Sequence, residues 1–173
     1  MLYYQLVQEL NMLKEAHLYR QLPGPLESAS GSRVVIGGRG MLLLSSNNYL
    51  GLTNHPRVKA AAIEAIEKWG TGSGGSRLTT GNFRLHRQLE ERLARFKGTE
   101  DAVVFNTGYM ANLGTVSALV TRGDLVVSDE LNHASIIDGC RLSRATVKVY
   151  RHKDLAHLRN ILFTARAACR RCL

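Results

Sequence analysis

Two residues at a predicted strand-to-helix turn, Thr107 and Gly108, could hold an anion. They follow the apolar run 102–105, which is typical of a buried strand, and precede an apolar segment with helical spacing. The first turn of a helix carries unpaired N–H groups and the positive end of the helix dipole, and both attract a phosphate. From this segment alone a second interpretation is equally supported, in which Asn106 or Thr107 simply caps the helix.

A histidine occupies the corresponding place after the next predicted strand. His133 belongs to the segment 129–135, which follows the apolar run 125–128. Parallel strands end at one edge of their sheet, and ligands of open α/β sheets bind outside that edge. A lone histidine before a helix is more often a cap or a packing residue, but its coincidence with the turn at Thr107 favours a functional role. The two turns together predict one crevice that offers a phosphate cradle and an imidazole.

The segment 70–82 is rich in glycine, so neither a helix nor a strand can extend far through it. Gly70, Gly72 and Gly75 satisfy the G-x-G-x-x-G pattern of dinucleotide-binding proteins, which must follow a strand and open a helix. Here the pattern follows a predicted helix and leads into a loop, so it does not indicate a dinucleotide site. The segment fits either a backbone that closely approaches a ligand or another subunit, or an ordinary surface loop.

The elements that must position these residues follow from hydrophobic periodicity. Amphipathic spacing and turn residues predict, in the first half, helices over 2–20, 56–69 and 85–96 and a hairpin over 33–44 that turns at 37–40. Beyond residue 101, strands and helices alternate: strands at 102–105, 125–128 and 146–150, helices at 109–120 and 134–142, and a last helix capped by Asp154. Such alternation predicts βαβ units, that is, a parallel sheet with helices on its faces.

Composition and charge bound the class of protein. Of 173 residues, 45% are hydrophobic and 21% are charged, which is ordinary for a globular domain with a core. The net charge of +9 could suit nucleic acid, but the basic residues are dispersed, and those of 84–95 alternate with Glu90 and Glu91. No apolar run reaches the roughly 18 residues of a membrane helix, and residues 1–20 lack the organisation of a signal peptide. We expect a cytoplasmic protein without nucleic-acid or membrane partners.

Three cysteines are present, and none indicates a metal site. Cys140 lies in an apolar, helix-like segment and is expected to be a reduced core residue. Cys169 and Cys172 form a single C-x-x-C. A structural zinc site needs four ligands, and no second pair accompanies this one, although His152 and His157 are close in sequence. We therefore expect no metal.

Four segments, taken in order, resemble one enzyme family. They are SSNNYLGL (45–52), GTGSGGSRLTTGN (70–82), LHRQLEERLARFKGTEDAVVFNTGYMAN (85–112) and SDELNHASIIDGCRLS (128–143). All four are similar to the α-oxoamine synthases, which are acyltransferases that depend on pyridoxal 5'-phosphate (PLP). The resemblance runs from about residue 18 to residue 162. It implies an α/β fold: a partial large domain of the PLP-dependent transferase fold type I (aspartate-aminotransferase-like), with the C-terminal part missing.

The resemblance implies cofactor-binding roles for individual residues. The backbone around Thr107, Gly108 and Tyr109 would hold the phosphate of PLP, as the helix-start argument also suggests. His133 would stack on the cofactor ring and is the one catalytic residue that this chain is expected to contribute. The glycine segment around 73–76 would lie at the interface of a homodimer, near the cofactor of the partner subunit.

The resemblance also implies the substrates and their contacts. Asn47 would lie near the carboxylate of the amino acid, Arg20 would contact the acyl substrate, and His133 would lie near both. The glycine segment and residues 106–114 favour the family members that condense L-alanine with pimeloyl-CoA or pimeloyl-carrier protein, with loss of carbon dioxide. Members that condense glycine with acetyl-CoA remain the alternative, because the segments 46–52 and 131–139 fit both.

Two groups that the resemblance implies have no counterpart in the sequence. In the family, the lysine that forms a Schiff base with the cofactor ends a Thr/Ser-rich stretch, and an earlier D-E/D-A-H stretch supplies the aspartate for the pyridine nitrogen. None of the lysines present has that context: Lys14, Lys59, Lys68, Lys97, Lys148 and Lys153. We therefore expect this chain to be inactive alone. A non-catalytic remnant, which binds anions or pairs with an intact subunit, is the alternative.

The last residues suggest a truncated or frame-altered coding sequence. The segment 163–173 has no acidic residue and carries two of the three cysteines. We expect three parts: an N-terminal helix and hairpin (1–44), an incomplete PLP-binding large domain (45–162) and an aberrant tail (163–173).

The purified 173-residue chain should not retain PLP covalently. Incubation with PLP followed by borohydride reduction is expected to leave no stoichiometric adduct, because no lysine lies in the family's cofactor motif. Mass spectrometry of the intact protein measures the attachment directly. Visible absorbance together with one fully modified lysine would contradict the expectation.

Overall fold

The computed structural model describes residues 1–28, 31–165 and 168–173. The chain forms two compact units, 1–74 and 75–173. The division into 1–44, 45–162 and 163–173 expected from the sequence stays a prediction. No helix of the described ranges combines the length and the apolar character that crossing a bilayer requires.

The first unit contains two helices and a hairpin. Its elements are α1 (Leu2–Glu15), β1 (Arg33–Ile36), β2 (Arg39–Leu42), a single 3₁₀ turn (Leu52–Asn54) and α2 (Pro56–Trp69). The helix predicted over 2–20 ends early because His17 adopts a left-handed conformation (φ 55°). Helices commonly end at such a residue.

The hairpin is confirmed, but its turn is shorter than predicted. Only Gly37 and Gly38 form the turn, with φ values of 56° and 70°. Positive φ at both central residues of a two-residue loop matches the twist of the flanking strands. Arg39 and Gly40, predicted as turn residues, therefore already pair in β2, opposite Ile36 and Val35.

The second unit contains the alternating elements. They are α3 (Arg84–Lys97), α4 (Gly108–Leu119), β3 (Leu125–Asp129), α5 (Ala134–Ser143), β4 (Thr146–Tyr150) and α6 (Leu155–Ala165). Strands β3 and β4 pair in parallel, in a register that runs from Leu125 opposite Thr146 to Asp129 opposite Tyr150. The predicted βαβ unit is confirmed here, and both strands end at the same edge of the sheet.

The core of this unit lies where α4 and α5 cover β3. Val120, Val126 and Cys140 are buried together, and Val116, Ile136 and Ala145 pack on them. The predicted role of Cys140 as a reduced core residue is confirmed. Gly139 of α5 permits the close contact, since a Cβ there would lie 3.0 Å from the Asn112 carbonyl oxygen. The two helices therefore approach nearly backbone to backbone.

The prediction of a first parallel strand at 102–105 is wrong. This segment joins no strand ladder within the described residues. Side chains bond its backbone instead: the Val104 N–H donates to Glu90 Oε1 (3.1 Å), and the Val104 carbonyl accepts from Arg77 Nη1 (3.1 Å). Backbone polar groups need partners when they are shielded from water. An ion pair meets that need here, where the sequence suggested a neighbouring strand.

Arg77 and Glu90 form a bidentate pair, with N–O distances of 2.6 and 3.1 Å. Arg77 Nε also donates to Asn82 Oδ1 (3.0 Å), which joins the glycine segment to the pair. The Glu90 residue is only 4% exposed. Hydrogen bonding by Arg77, and next by the Val104 N–H, lowers the pKa of Glu90 to about 2. The carboxylate is therefore charged throughout the neutral range, and charge-assisted bonds of this type are stronger than neutral ones.

Four residues of the expected tail extend the sheet. The Leu125 N–H donates to the Arg171 carbonyl (2.9 Å), and the Leu173 N–H donates to the Leu125 carbonyl (2.9 Å). Arg170 bonds both carboxylate oxygens of the buried Asp124 at 3.1 Å each. Residues 170–173 thus cover the edge of β3 that faces away from β4.

Substitution of Glu90 by Gln should destabilise the second unit. We expect the free energy of unfolding near pH 7 to fall by about 1.5–3 kcal/mol, the range for hydrogen bonds to charged groups. The pKa of Glu90 is depressed in the folded state, so its contribution is complete above pH 4.5, its ordinary pKa, and is lost as the pH falls toward 2. Urea unfolding across this pH range should therefore show a flatter pH dependence in Glu90→Gln.

The neighbouring Glu91 provides the control. It pairs with Arg87 across one helical turn, and both side chains are about half exposed. Exposed pairs contribute little, so Glu91→Gln should change the stability by less than about 0.5 kcal/mol. Equal effects of the two substitutions would contradict the role given to Glu90.

Candidate functional site

The start of α4 is both capped and open. Thr107 is the N-cap: its Oγ1 accepts the Met110 N–H (3.1 Å), and its carbonyl accepts the Ala111 N–H (3.0 Å). Among the residues that the structure describes, no acceptor is bonded to the N–H groups of Gly108 and Tyr109. The two interpretations of this turn are thus compatible, because the cap uses one N–H and leaves two for an anion.

The space in front of this turn is free. A Cβ added to Gly108 would meet no atom within 4 Å. A tetrahedral anion can therefore approach the backbone closely, and the dipole of α4 favours its negative charge. The backbone of Thr107, Gly108 and Tyr109 has the geometry to hold a phosphate group. Its role in binding the phosphate of PLP stays a prediction.

His133 is the N-cap of α5. Its Nδ1 accepts the Ser135 N–H (3.2 Å) and lies 2.7 Å from Ser135 Oγ. Because Nδ1 accepts a bond from the backbone, the neutral ring carries its proton on Nε2. His133 is exposed, so Nε2 and the ring faces remain accessible. The histidine thus combines a capping role with a fixed orientation.

The first turns of α4 and α5 are bonded to each other. Asn112 Nδ2 donates to Ser135 Oγ (2.9 Å), and Ser135 in turn contacts His133. The Tyr109 hydroxyl donates to Asp138 Oδ2 (3.0 Å), and this bond is the main reason why the pKa of Tyr109 is raised above its ordinary value. The structure therefore brings the two helix starts together as predicted, although no ladder strand precedes α4 within the described residues.

Three residues that make this connection were not predicted from the sequence: Asn112, Ser135 and Asp138. A signal was present in the helical spacing, because Tyr109 and Asn112 lie on one face of a helix that is otherwise mainly apolar. Polar groups on an apolar helix need partners, and here the partners belong to α5.

Two further candidates, Arg20 and Asn47, belong to the compact unit 1–74. Both are exposed. Their contacts with the acyl substrate and with the amino acid carboxylate stay predictions.

The glycine segment folds closely on itself. The Ser76 carbonyl accepts the N–H groups of Thr79 (3.1 Å) and Gly81 (2.8 Å). A Cβ on Gly81 would overlap the Gly75 carbonyl, so this position requires glycine. The close packing of backbone on backbone within the segment accounts for part of its glycine content. No ligand is needed to explain that part. Across the described ranges, no three His, Cys, Asp or Glu side chains gather as metal ligands would.

Comparison with known proteins identifies relatives over most of the chain. The model of the family "aminotransferase class I and II" matches residues 39–170. The 8-amino-7-oxononanoate synthase of Geobacter sulfurreducens is 58% identical over 162 residues, which are 94% of this chain and 41% of that protein. The synthase of the same name from Thermoanaerobacter pseudethanolicus is 55% identical over 90% of this chain and 39% of its own. The chain thus spans about two fifths of the length of these relatives.

Solved structures give the same result for the fold. The serine palmitoyltransferase of Sphingomonas wittichii matches with a TM-score of 0.86 and 35% identity, over 96% of this chain and 42% of that one. A serine palmitoyltransferase of S. paucimobilis, solved with a bound PLP–myriocin aldimine, has a TM-score of 0.83 and 38% identity over 92% and 40% of the two chains. The predicted fold, a partial large domain of a PLP-dependent transferase, is confirmed, and these relatives depend on PLP.

Substitution of Gly108 by Asp should abolish anion binding without harming the fold. The new side chain has room, and a carboxylate in the first turn of a helix is stabilising by about 0.3–1 kcal/mol. It would place a negative charge where the phosphate binds. Titration calorimetry with inorganic phosphate and with PLP should show binding to the unmodified chain and none to Gly108→Asp.

Leu155→Asp is the matched control for this substitution. Leu155 is the first residue of α6 and is 64% exposed, so the substitution adds the same charge at the start of another helix. It should leave anion binding unchanged. Equal losses in both variants would show that net charge, and not the turn at Gly108, controls binding.

Proposed function

This chain belongs to the aminotransferase class I and II family, within which its resemblance to the α-oxoamine synthases is confirmed, and on that basis we propose a specific role. It supplies the phosphate- and ring-binding part of an 8-amino-7-oxononanoate synthase. That enzyme condenses L-alanine with a pimeloyl thioester in biotin biosynthesis, with loss of carbon dioxide. The observation that carries the proposal is the pair of open N–H groups at Gly108 and Tyr109 beside the oriented ring of His133.

The residues of the turn would hold the phosphate of PLP. The N–H groups of Gly108 and Tyr109 would donate to its oxygens, while Thr107 keeps the first turn of α4 in shape by accepting the Met110 N–H. When bound, PLP supplies an electron sink for the negative charge that develops at the amino acid α-carbon. The chain contributes binding and orientation, which are the usual protein contributions in cofactor enzymes.

His133 would contact both the ring of PLP and the substrates. One face of the imidazole would pack against the pyridine ring, and the bond from the Ser135 N–H would hold the imidazole in that orientation. The proton on Nε2 is available for donation to a carboxylate or carbonyl oxygen of a substrate. A neutral, donating imidazole suits this position, because it stabilises negative charge without adding a full positive charge.

Arg20 and Asn47 would complete the substrate contacts. The amide of Asn47 donates to the carboxylate of L-alanine, and the guanidinium of Arg20 pairs with the acyl substrate, whose pimeloyl chain ends in a carboxylate. The active form would be a cytoplasmic homodimer in which the segment 73–76 lies at the interface. The thioester carrier is coenzyme A or a carrier protein.

A second candidate is 2-amino-3-ketobutyrate CoA ligase (glycine C-acetyltransferase), which uses glycine and acetyl-CoA. The segments 46–52 and 131–139 fit both enzymes, so they keep this candidate open but do not discriminate between the two. The curated relatives weigh against it, because those between 48% and 58% identical share the name 8-amino-7-oxononanoate synthase.

Enzyme assays on a full-length synthase that carries this sequence separate the candidates. With L-alanine and pimeloyl-CoA, kcat/KM should exceed that with glycine and acetyl-CoA by tenfold or more, since about 10–200-fold is the usual discrimination for small apolar differences. Release of free thiol and of carbon dioxide measures both reactions. Preference for glycine and acetyl-CoA would overturn the proposal in favour of the ligase.

The 173-residue chain serves as the control in the same assay. It should bind PLP without turnover. Absence of PLP binding in both proteins would remove the cofactor assignment itself.

A further inference from the structure

The end of β3 and the turn that follows β4 are joined by a hydrogen-bond contact between Asp129 and His152. His152 Nδ1 lies 3.0 Å from each carboxylate oxygen of Asp129. The Asp129 side chain is 17% exposed and that of His152 is 42% exposed. Neither residue takes part in the phosphate turn or in the contacts of His133 described above, so the pair needs its own explanation.

Asp129 also shapes the turn that leads to His133. Its Oδ1 accepts the Leu131 N–H (2.8 Å), and its carbonyl accepts the Asn132 N–H (3.2 Å). The bond from Leu131 is the main cause, and the bond from His152 a further one, of the lowered pKa of Asp129. The carboxylate is therefore ionised and accepts hydrogen bonds from the two turns at once.

A second link reinforces the first. The Glu130 N–H donates to the Tyr150 carbonyl (3.0 Å), and Glu130 Oε1 accepts the His152 N–H (2.8 Å). His152 is thus bonded through its ring to Asp129 and through its backbone to Glu130. Two consecutive residues of the β3–α5 turn are fixed to one residue beyond β4.

The opposite end of the same turn is held by α4. Asn112 bonds Ser135, and Ser135 bonds the ring of His133. The four residues from Asp129 to Asn132 therefore lie between two anchors, His152 on the sheet side and Asn112 on the helix side. Both anchors thus act on the turn that leads to the start of α5, which carries the imidazole of His133.

We propose that Asp129 and His152 are positioning residues, which set the orientation of the His133 ring through the β3–α5 turn. The effect of these two residues on cofactor binding rests on the proposed contact between His133 and PLP. Their effect on the orientation of the His133 ring does not depend on that contact. An ionised carboxylate only accepts hydrogen bonds, so His152 Nδ1 is the donor, in contrast to His133 Nδ1, which accepts. His152→Asn retains a donor near the same place through its side-chain amide, and His152→Ala does not.

The orientation of His133 can be measured without PLP. In the 173-residue chain labelled with ¹⁵N-histidine, His133→Gln identifies the ring signals of His133. The unmodified chain should show one neutral tautomer, with the proton on Nε2. His152→Ala should convert this signal to a mixture of tautomers, and His152→Asn should restore the single form.

His157 supplies the matched control. Its Nδ1 accepts the Arg151 N–H (3.2 Å), so it supports the same β4–α6 turn, but no described bond joins it to 129–133. His157→Ala should leave the His133 tautomer unchanged. An unchanged tautomer in His152→Ala, or an equal change in His157→Ala, overturns the proposal. If circular dichroism shows that His152→Ala is unfolded, Asp129→Asn is measured by the same criteria.

A ligand measurement separates this proposal from the proposed function. His152→Ala should weaken PLP binding by about three- to tenfold, the effect of one net hydrogen bond, and leave inorganic phosphate binding unchanged. Equal weakening of both ligands overturns a role specific to His133. If the unmodified chain binds no PLP, the proposed function fails, and the tautomer measurement still decides the role of Asp129 and His152.

Discussion

The pair of Arg77 and Glu90 is the interaction on which the candidate site depends most directly. It satisfies both backbone groups of Val104, three residues before the N-cap of α4. Without it, the segment that enters the phosphate turn would lose its only described backbone bonds to α3 and to the glycine segment. The Glu90 side chain is buried and that of Arg77 is about one-third exposed, so desolvation offsets part of the attraction between the two charges. Its value here lies in specificity, since a bidentate pair fixes one position of the backbone that it bonds.

The helix starts show how one structural element serves folding and binding together. Each helix needs partners for its first N–H groups. Thr107 and His133 provide such partners for α4 and α5, and each does so incompletely. The N–H groups of Gly108 and Tyr109 are left over, and they have no acceptor among the described residues. Ordinary capping therefore leaves N–H groups available at a helix start, with no left-handed residue at Thr107 or Gly108.

The sequence was sufficient for every element whose pattern is local. Helices α2 to α6, the hairpin and the strands β3 and β4 follow from periodicity, caps and glycine. The segment 102–105 was mistaken for a ladder strand, because its apolar run is the same whether a strand or a side chain bonds its backbone. The partner residues Arg77 and Glu90 lie 27 and 14 positions away. No periodicity reports contacts of that range, and the same holds for the bonds of Ser135 and His152. For the phosphate turn and for His133, the local pattern suggested an anion site and a nearby imidazole, and the family resemblance added the expected ligand, PLP.

Residues 170–173 are bound to the edge of β3 mainly through main-chain hydrogen bonds. Its ladder bonds join main-chain groups alone, so they carry no information about residue type. Selectivity enters through one charge pair, in which Arg170 meets the buried Asp124 and thereby sets the alignment. Unprotected strand edges are templates for pairing with other chains. The register of residues 170–173 along β3 is thus tied to the ion pair of Arg170 and Asp124, and not to the main-chain bonds alone.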